Sequence, residues 1–230
     1  MRLGIITYDT RHLKTEQVAL GLNMVGGVEL HFFALPFVAR AAREILFAHR
    51  PDMMTGAPAA EVAKAVGAPF TTIGGVGDID PAACDLFLIG GAGLLPADWV
   101  AATRGRVINS HPGIIPLVRG LDAFKWAILD MQPIGNSLHF IDEEADAGEV
   151  FAQQPTPIFA DDTLERFAMR HYDLEIAMMI NFQILLDRHA RDPVVVDMSQ
   201  ARPARMRMKA EQQATLAEAF ERYKTHFVKG

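Results

Sequence analysis

Through the first half of the chain, short apolar runs alternate with stretches of helical periodicity, and glycine or proline stands at most junctions. Leu3 to Thr7 is an apolar run suited to a buried strand. Between Leu13 and Val25 the residues Val18, Leu20, Leu22 and Val25 fall at helical spacing, and Gly26-Gly27 ends the pattern. Val28 to Leu35 reads as a second strand and Val38 to His49 as a second helix. Strand, helix, strand in that order favours a parallel α/β sheet. Pro58 to Val66 then fits a short helix opened by proline, Phe70 to Ile73 a strand, and Asp85 to Ile89 a buried strand running into Gly90-Gly91-Ala92-Gly93.

Downstream, Pro96 to Thr103 reads as a helix, Arg106 to Ser110 as a fifth strand and Asp122 to Met131 as a helix. Asn136 to Asp142 and Glu149 to Gln154 extend the sheet. One long helix is expected from Leu164 to His189, capped by Thr163 and stopped by Asp192-Pro193. A short apolar piece (Val194 to Val196) and a basic stretch (Arg202, Arg205, Arg207, Lys209) follow, and Ala210 to about Phe227 forms an amphipathic helix. The expected fold class is α/β, a Rossmann-like, mostly parallel twisted sheet flanked by helices. The expected division is a core over residues 1–192 and a short C-terminal helical extension over 193–230.

Composition removes several classes of function. The 230 residues include one cysteine, Cys84, so no internal disulfide framework exists and a reducing, cytoplasmic setting is expected. Lys plus Arg total 22 against 28 Asp plus Glu, a formal charge of −6, which is the wrong balance for a general nucleic-acid binder. No run approaches the roughly 18 apolar residues of a membrane span. His12, His31, His49, His171, His189 and His226 show no metal-ligand spacing with carboxylates or cysteine and read as surface or packing residues, so no metal site is expected.

In a doubly wound sheet, ligands sit beyond the carboxyl ends of strands. The strand ending at Val107-Ile108 runs straight into Asn109-Ser110-His111-Pro112-Gly113-Ile114-Ile115-Pro116. Asn109 and His111, two apart on extended chain, point to one side. Gly135-Asn136-Ser137-Leu138-His139-Phe140 follows, and then Asp146-Ala147-Gly148. Taken alone, Asp146 with Gly148 is an ordinary turn pair. The ordered set Asn109-x-His111-Pro112-x-x-x-Pro116, Gly120, Gly135-x-x-x-His139-Phe140 and Asp146-x-Gly148 resembles the signature of the folate-dependent formyltransferases. The resemblance extends over roughly residues 1–190 and is clearest between Val107 and Pro157.

The resemblance implies a formyltransferase fold and transfer of a formyl group from N10-formyltetrahydrofolate, the co-substrate, to an amine. In that chemistry Asn109 and His111 donate hydrogen bonds to the oxygen that gathers charge. Asp146 favours the donor form of His111 and relays a proton from the amine. The place where the family grips the pterin ring corresponds here to Gly91, Ala92, Gly93, Leu94 and Leu95, with Ala145 on the opposite flank. The glycines read equally as a helix-entry turn. His139 is placed either to face the acceptor or to serve as a structural histidine.

The acceptor is read from departures within the family. Glycinamide ribonucleotide formyltransferases hold a ribose phosphate in a Gly/Ser/Asn-rich loop after the first strand. Here that loop reads Tyr8-Asp9-Thr10-Arg11-His12-Leu13-Lys14, without glycine, so a backbone phosphate nest is not expected. Tyr8, Arg11 and Lys14 remain as acceptor-binding candidates by side chain. About forty residues after Pro193 leave no room for the tRNA-binding barrel of the methionyl-tRNA formyltransferases. By elimination the expected partner is a small-molecule amine, an amino sugar carried on a nucleotide. The alternatives are phosphoribosylglycinamide formyltransferase and formyltetrahydrofolate hydrolase. Apolar residues on the last helix (Leu216, Phe220, Phe227) suit either a homodimer or a return onto the core.

Overall fold

Leu3, Ile5 and Ile6 are wholly buried, which is why β1 (Arg2–Tyr8) is a continuous apolar run rather than an alternating one. The structure, a computed structural model, describes residues 1–39, 43–93, 95–142 and 148–228. Around β1 lie β2 (Glu29–Leu35), β3 (Phe70–Thr72), β4 (Leu86–Ile89), β5 (Val107–His111), β6 (Gly135–Phe140) and β7 (Val150–Pro155), in the order β3-β2-β1-β4-β5-β6-β7. The first five strands are parallel, and β6 and β7 are antiparallel to their neighbours. Strand order reverses between β1 and β4, so the ends of these strands, Tyr8 and Ile89, flank the place where ligands of such sheets bind.

Helix α1 (Leu13–Val25) lays Val18, Ala19 and Leu22 on one face of the sheet, beside Tyr172, Ile176 and Met179 of α5 (Leu164–Ile180). The remaining early helices are α2 (Ala59–Ala65), α3 (Ala97–Thr103) and α4 (Ala123–Leu129). Trp99 and Val100 of α3 cover Ile6, Phe87 and Val107 on the other side of the sheet. Thr163 caps α5 as expected, its side chain accepting from Arg166 N at 3.2 Å.

Three expected elements differ. Within Val38 to His49, the described residues 38–39 and 43–49 are irregular rather than helical. Ile45 and Leu46 are about half exposed, so the segment has no buried apolar stripe to support a helix. It is held by side chains instead: Phe47 N donates to Gln213 Oε1 at 3.3 Å, and the His49 ring stacks on Phe124. The long helix from Leu164 to His189 is two helices, α5 and α6 (Phe182–Arg191), broken at Asn181. Asn181 Nδ2 donates to Ala177 O at 2.8 Å, a side-chain bond that competes with the helical ladder. The last helix likewise divides into α7 (Ala210–Gln213) and α8 (Leu216–Phe227). The turn between them aims Gln213 inward, where it accepts from Lys125 Nζ at 3.0 Å and donates to Met208 O at 3.0 Å.

The basic stretch is exposed but tied to the core by its backbone. It runs beside residues 116–121: Arg205 N donates to Arg119 O and Leu121 N donates to Arg205 O, both at 2.8 Å. Gly120 allows this, with φ +89° and the Arg205 backbone lying where a Cβ would stand. Beyond it, Leu216, Phe220 and Tyr223 are buried against Phe124, Ile128 and Phe167 in a second core cluster, and Tyr223 Oη accepts from Ile134 N at 3.1 Å. Leu216 and Phe220, read from sequence as suiting a dimer or a return onto the core, do the latter. Among the described residues no helix is long and apolar enough to cross a membrane.

Candidate active site

Strand β5 ends in polar residues at the carboxyl end of the sheet. Asn109 is half-buried and His111 is buried, on the same side of the strand. Pairing of β5 with β6 sets Asn109 opposite His139, and Asn109 Nδ2 lies 3.2 Å from His139 Nε2. His139 Nδ1 is 3.1 Å from the Phe140 carbonyl, an acceptor only, so Nδ1 carries the proton and Nε2 accepts from Asn109. This network assigns the amide: the NH₂ end faces His139 and the oxygen points away. His139 is thus buried behind Asn109.

His111 is fixed by the chain that follows it. Its Nε2 donates to Val118 O at 2.8 Å. The Pro112–Pro116 turn is pinned in turn by β6 and β7. Ser137 Oγ donates to Gly113 O at 2.7 Å and accepts from Ile115 N at 3.1 Å, while Gln153 Nε2 donates to Ile115 O at 2.6 Å. Both side chains on β5 therefore sit on a braced frame, a requirement for preorganised donors.

The first loop is closed rather than open. Gly56 packs against Leu13 N, His12 N donates to Ala57 O at 3.3 Å, and Ala59 N donates to Thr10 O at 3.0 Å. Residues 56–59 thus lie over the first turn of α1. His12 caps that turn itself, its Nδ1 accepting from Thr15 N at 3.3 Å. Burial first, then Lys14 and Arg50, lower the His12 pKa to about 4, so the ring is neutral at neutral pH. Arg11 Nη1 donates to Gly56 O at 3.1 Å. Tyr8 packs edge-on against His12 and Phe37. Lys14 Nζ is 2.5 Å from Glu175 Oε1 in a pair almost shielded from water. Burial opposes ionisation of Glu175, but Lys14 prevails and holds the carboxyl below its usual range.

Gly91 lies so close to His12 that a Cβ there would meet the imidazole at 2.7 Å, so this glycine serves packing between β4 and α1. Gly93 is exposed, and Ala92, Leu95 and Ile141 are partly buried, each packed against the core cluster under α3. Leu94, Ala145 and Asp146 lie outside the described residues.

Sequence reasoning passed over Glu175 and read His171 only as a surface or packing residue. Both fall on the buried stripe of α5, one turn apart. His171 Nδ1 is 2.8 Å from Thr156 Oγ1, and burial lowers its pKa to about 4. An acidic residue on the apolar stripe of an otherwise amphipathic helix is the signal that marks Glu175.

The parallel sheet, its switch point and the polar end of β5 define a doubly wound α/β protein with a polar site beyond its strand ends. Residues 76–182 match the family described as formyl transferase. The chain is similar to phosphoribosylglycinamide formyltransferase of Haemophilus influenzae, 30% identical over 103 residues that make up 44% of this chain and 49% of that one. It thus spans less than half the length of the curated relatives it matches. In fold it is similar to phosphoribosylglycinamide formyltransferase of Anaplasma phagocytophilum, with a TM-score of 0.60, 20% identity and coverage of 91% of this chain and 96% of that one. It is also similar to a sugar N-formyltransferase of Shewanella sp., with a TM-score of 0.55, 20% identity and coverage of 91% and 74%.

Proposed function

We propose that the chain transfers a formyl group from N10-formyltetrahydrofolate to the amine of a nucleotide-linked amino sugar. The reaction class is supported by Asn109 and His111 standing together at the end of β5 in the span that matches the formyl transferase family. Asn109 spends one amide hydrogen on His139 and offers the other to the formyl oxygen as charge develops there. His111, held through Nε2 by Val118 O, is assigned the second donor to that oxygen on the sequence resemblance. Asp146 is assigned the proton relay from the amine on the sequence resemblance.

The residues around Gly91 suit the co-substrate. Ala92, Leu95 and Ile141 offer partly buried apolar surface next to the glycine backbone, a fit for a flat ring, with Gly93, Leu94 and Ala145 assigned to the same pocket from sequence. When bound, the co-substrate supplies the formyl carbonyl. The chain's part is to bind it, keep water out and place the two donors.

The acceptor reading is carried by one observation, the closure of the α1 N-terminus by residues 56–59. A ribose phosphate held by backbone N–H groups needs that terminus open. Arg11 is occupied by Gly56 O and Lys14 by Glu175, so neither is a spare cation for it. The purine reading draws its own support from the 30% identity with the Haemophilus protein. Incubation with N10-formyltetrahydrofolate and each acceptor in turn separates the two. Turnover with amino-sugar nucleotides and not with glycinamide ribonucleotide is the expected result. Preference for the ribonucleotide overturns the acceptor reading, and release of tetrahydrofolate without any amine points to a hydrolase. The proposed setting is the cytoplasm, in keeping with a single, buried, unpaired thiol at Cys84.

A further inference from the structure

On the face of the sheet opposite Asn109 and His111, helix α5 brings His171 toward the end of β5. Ser110 of β5 pairs with Leu138 of β6, and Asn136 lies two residues back along β6 on the same face. Leu138 shares a core cluster with Tyr172 and Ile176, so this is the face that α5 covers. Ser110, Asn136, Thr156 and His171 are all buried there, a polar group inside an apolar core.

Two donors fix the His171 ring. Thr156 Oγ1 lies 2.8 Å and Asn136 Nδ2 3.4 Å from Nδ1, and the direction of the Asn136 amide is set by its bond to His171 O at 3.0 Å. Nδ1 therefore accepts, and in the neutral ring Nε2 carries the proton. That Nε2–H is buried without a partner within hydrogen-bond distance. An unpaired buried donor costs folding free energy, and a histidine serving packing alone has no use for one.

The turn after His111 holds the matching acceptor. His111 O accepts from Gly113 N, Gly113 O from Ser137 Oγ, Ile114 O from Val118 N, Ile115 O from Gln153 Nε2 and Pro116 O from Arg202 N. The Pro112 carbonyl is in none of these pairs. Its counterpart is the His171 ring, whose protonation it favours. His111 is also near enough for its charge to oppose one on His171.

We propose that His171 is a positioning residue: its Nε2–H faces the Pro112 carbonyl and steadies the turn after β5, and with it His111 and Asn109. It acts through the backbone and touches no reacting atom. The consequence for catalysis rests on the formyl-transfer reading, whereas the link from His171 to His111 is a property of the chain alone.

Steady-state kinetics and long-range proton–nitrogen NMR of the full chain, labelled with ¹⁵N-histidine, test both parts. His171→Leu is expected to lower kcat about tenfold with KM little changed, and His171→Gln, which keeps a donor near the Nε2 position, restores most of the rate. The His111 ring signals should move in His171→Leu and return toward their original places in His171→Gln. Thr156→Val, close in shape but without the hydroxyl on Nδ1, should move the same signals if His171→Leu does not fold. Equal loss of kcat in His171→Leu and His171→Gln, a loss carried by KM, or His111 signals unmoved by the substitutions at 171 and 156 overturns the proposal. Absence of turnover by the unaltered chain with every amine counts against formyl transfer, and the His111 signals then decide the positioning link by themselves.

Discussion

Asn109 Nδ2 lies 3.2 Å from His139 Nε2 across the antiparallel β5–β6 pair, and the direction of that bond decides which end of the amide faces β6. Without His139 the amide is free to turn its oxygen toward the developing negative charge. His139→Ala is therefore expected to lower kcat by about 10²-fold with little change in KM, approaching the 10²–10³ typical for loss of an oxyanion donor in Asn109→Ala. The double variant should be no slower than Asn109→Ala alone, since both changes remove the same interaction. Steady-state kinetics of the three variants checks this, and additive losses would contradict a positioning role.

Stability should fall on acidification. His12 and His171 both have pKa values lowered from 6.5 to about 4 by burial. Between pH 6.5 and 4 the unfolded chain binds protons at these positions that the folded chain refuses, so stability is full above pH 6.5 and declines toward pH 4. For His171, a drop of that size corresponds to roughly 3 kcal/mol at about 1.4 kcal/mol per unit. Urea unfolding at pH 7 and pH 4.5 measures the slope, which should be shallower in His171→Gln.

The Lys14–Glu175 pair is buried, and breaking one side leaves the other uncompensated. Glu175→Gln is expected to cost about 3–5 kcal/mol of stability. Replacing both, Lys14→Met with Glu175→Met, should restore most of it, because well-packed apolar residues avoid the desolvation cost. Chemical denaturation of the single and double variants gives the comparison. A double variant as unstable as Glu175→Gln would show that the pair does more than satisfy itself.

Docking of the tail depends on Gly120. Its φ of +89° and the Arg205 backbone against it leave no space for a Cβ. Gly120→Ala should cost more than about 1 kcal/mol and release the ladder to Arg205. Limited proteolysis should then cut within 193–209 faster than in the unaltered chain.

Much of this architecture is legible in the sequence because strands and helices buried on one or both faces write their periodicity directly. β1, α1, β2 and β4 are found within a residue or two of the expected bounds. Asn109 and His111 are legible for a related reason: strand geometry fixes that residues two apart share a side. What escaped is tertiary in origin. The segment from Val38 to His49 has a helical residue mix, but its described residues meet Gln213 and Phe124 across the fold instead of their own ladder. Closure of α1 by residues 56–59 is a contact between segments more than forty residues apart, to which no local pattern points. Glu175 was visible as an acid on a buried stripe, but its partner Lys14 lies 161 residues away.

The most direct test of the account is the rate of tetrahydrofolate formation from N10-formyltetrahydrofolate in the presence of an amino-sugar nucleotide, for the unaltered chain, Asn109→Ala and His111→Ala. The prediction is acceptor-dependent turnover that falls by about 10²–10³ in each variant. Turnover that is absent with every amine acceptor, or that survives both substitutions at the original rate, would contradict it.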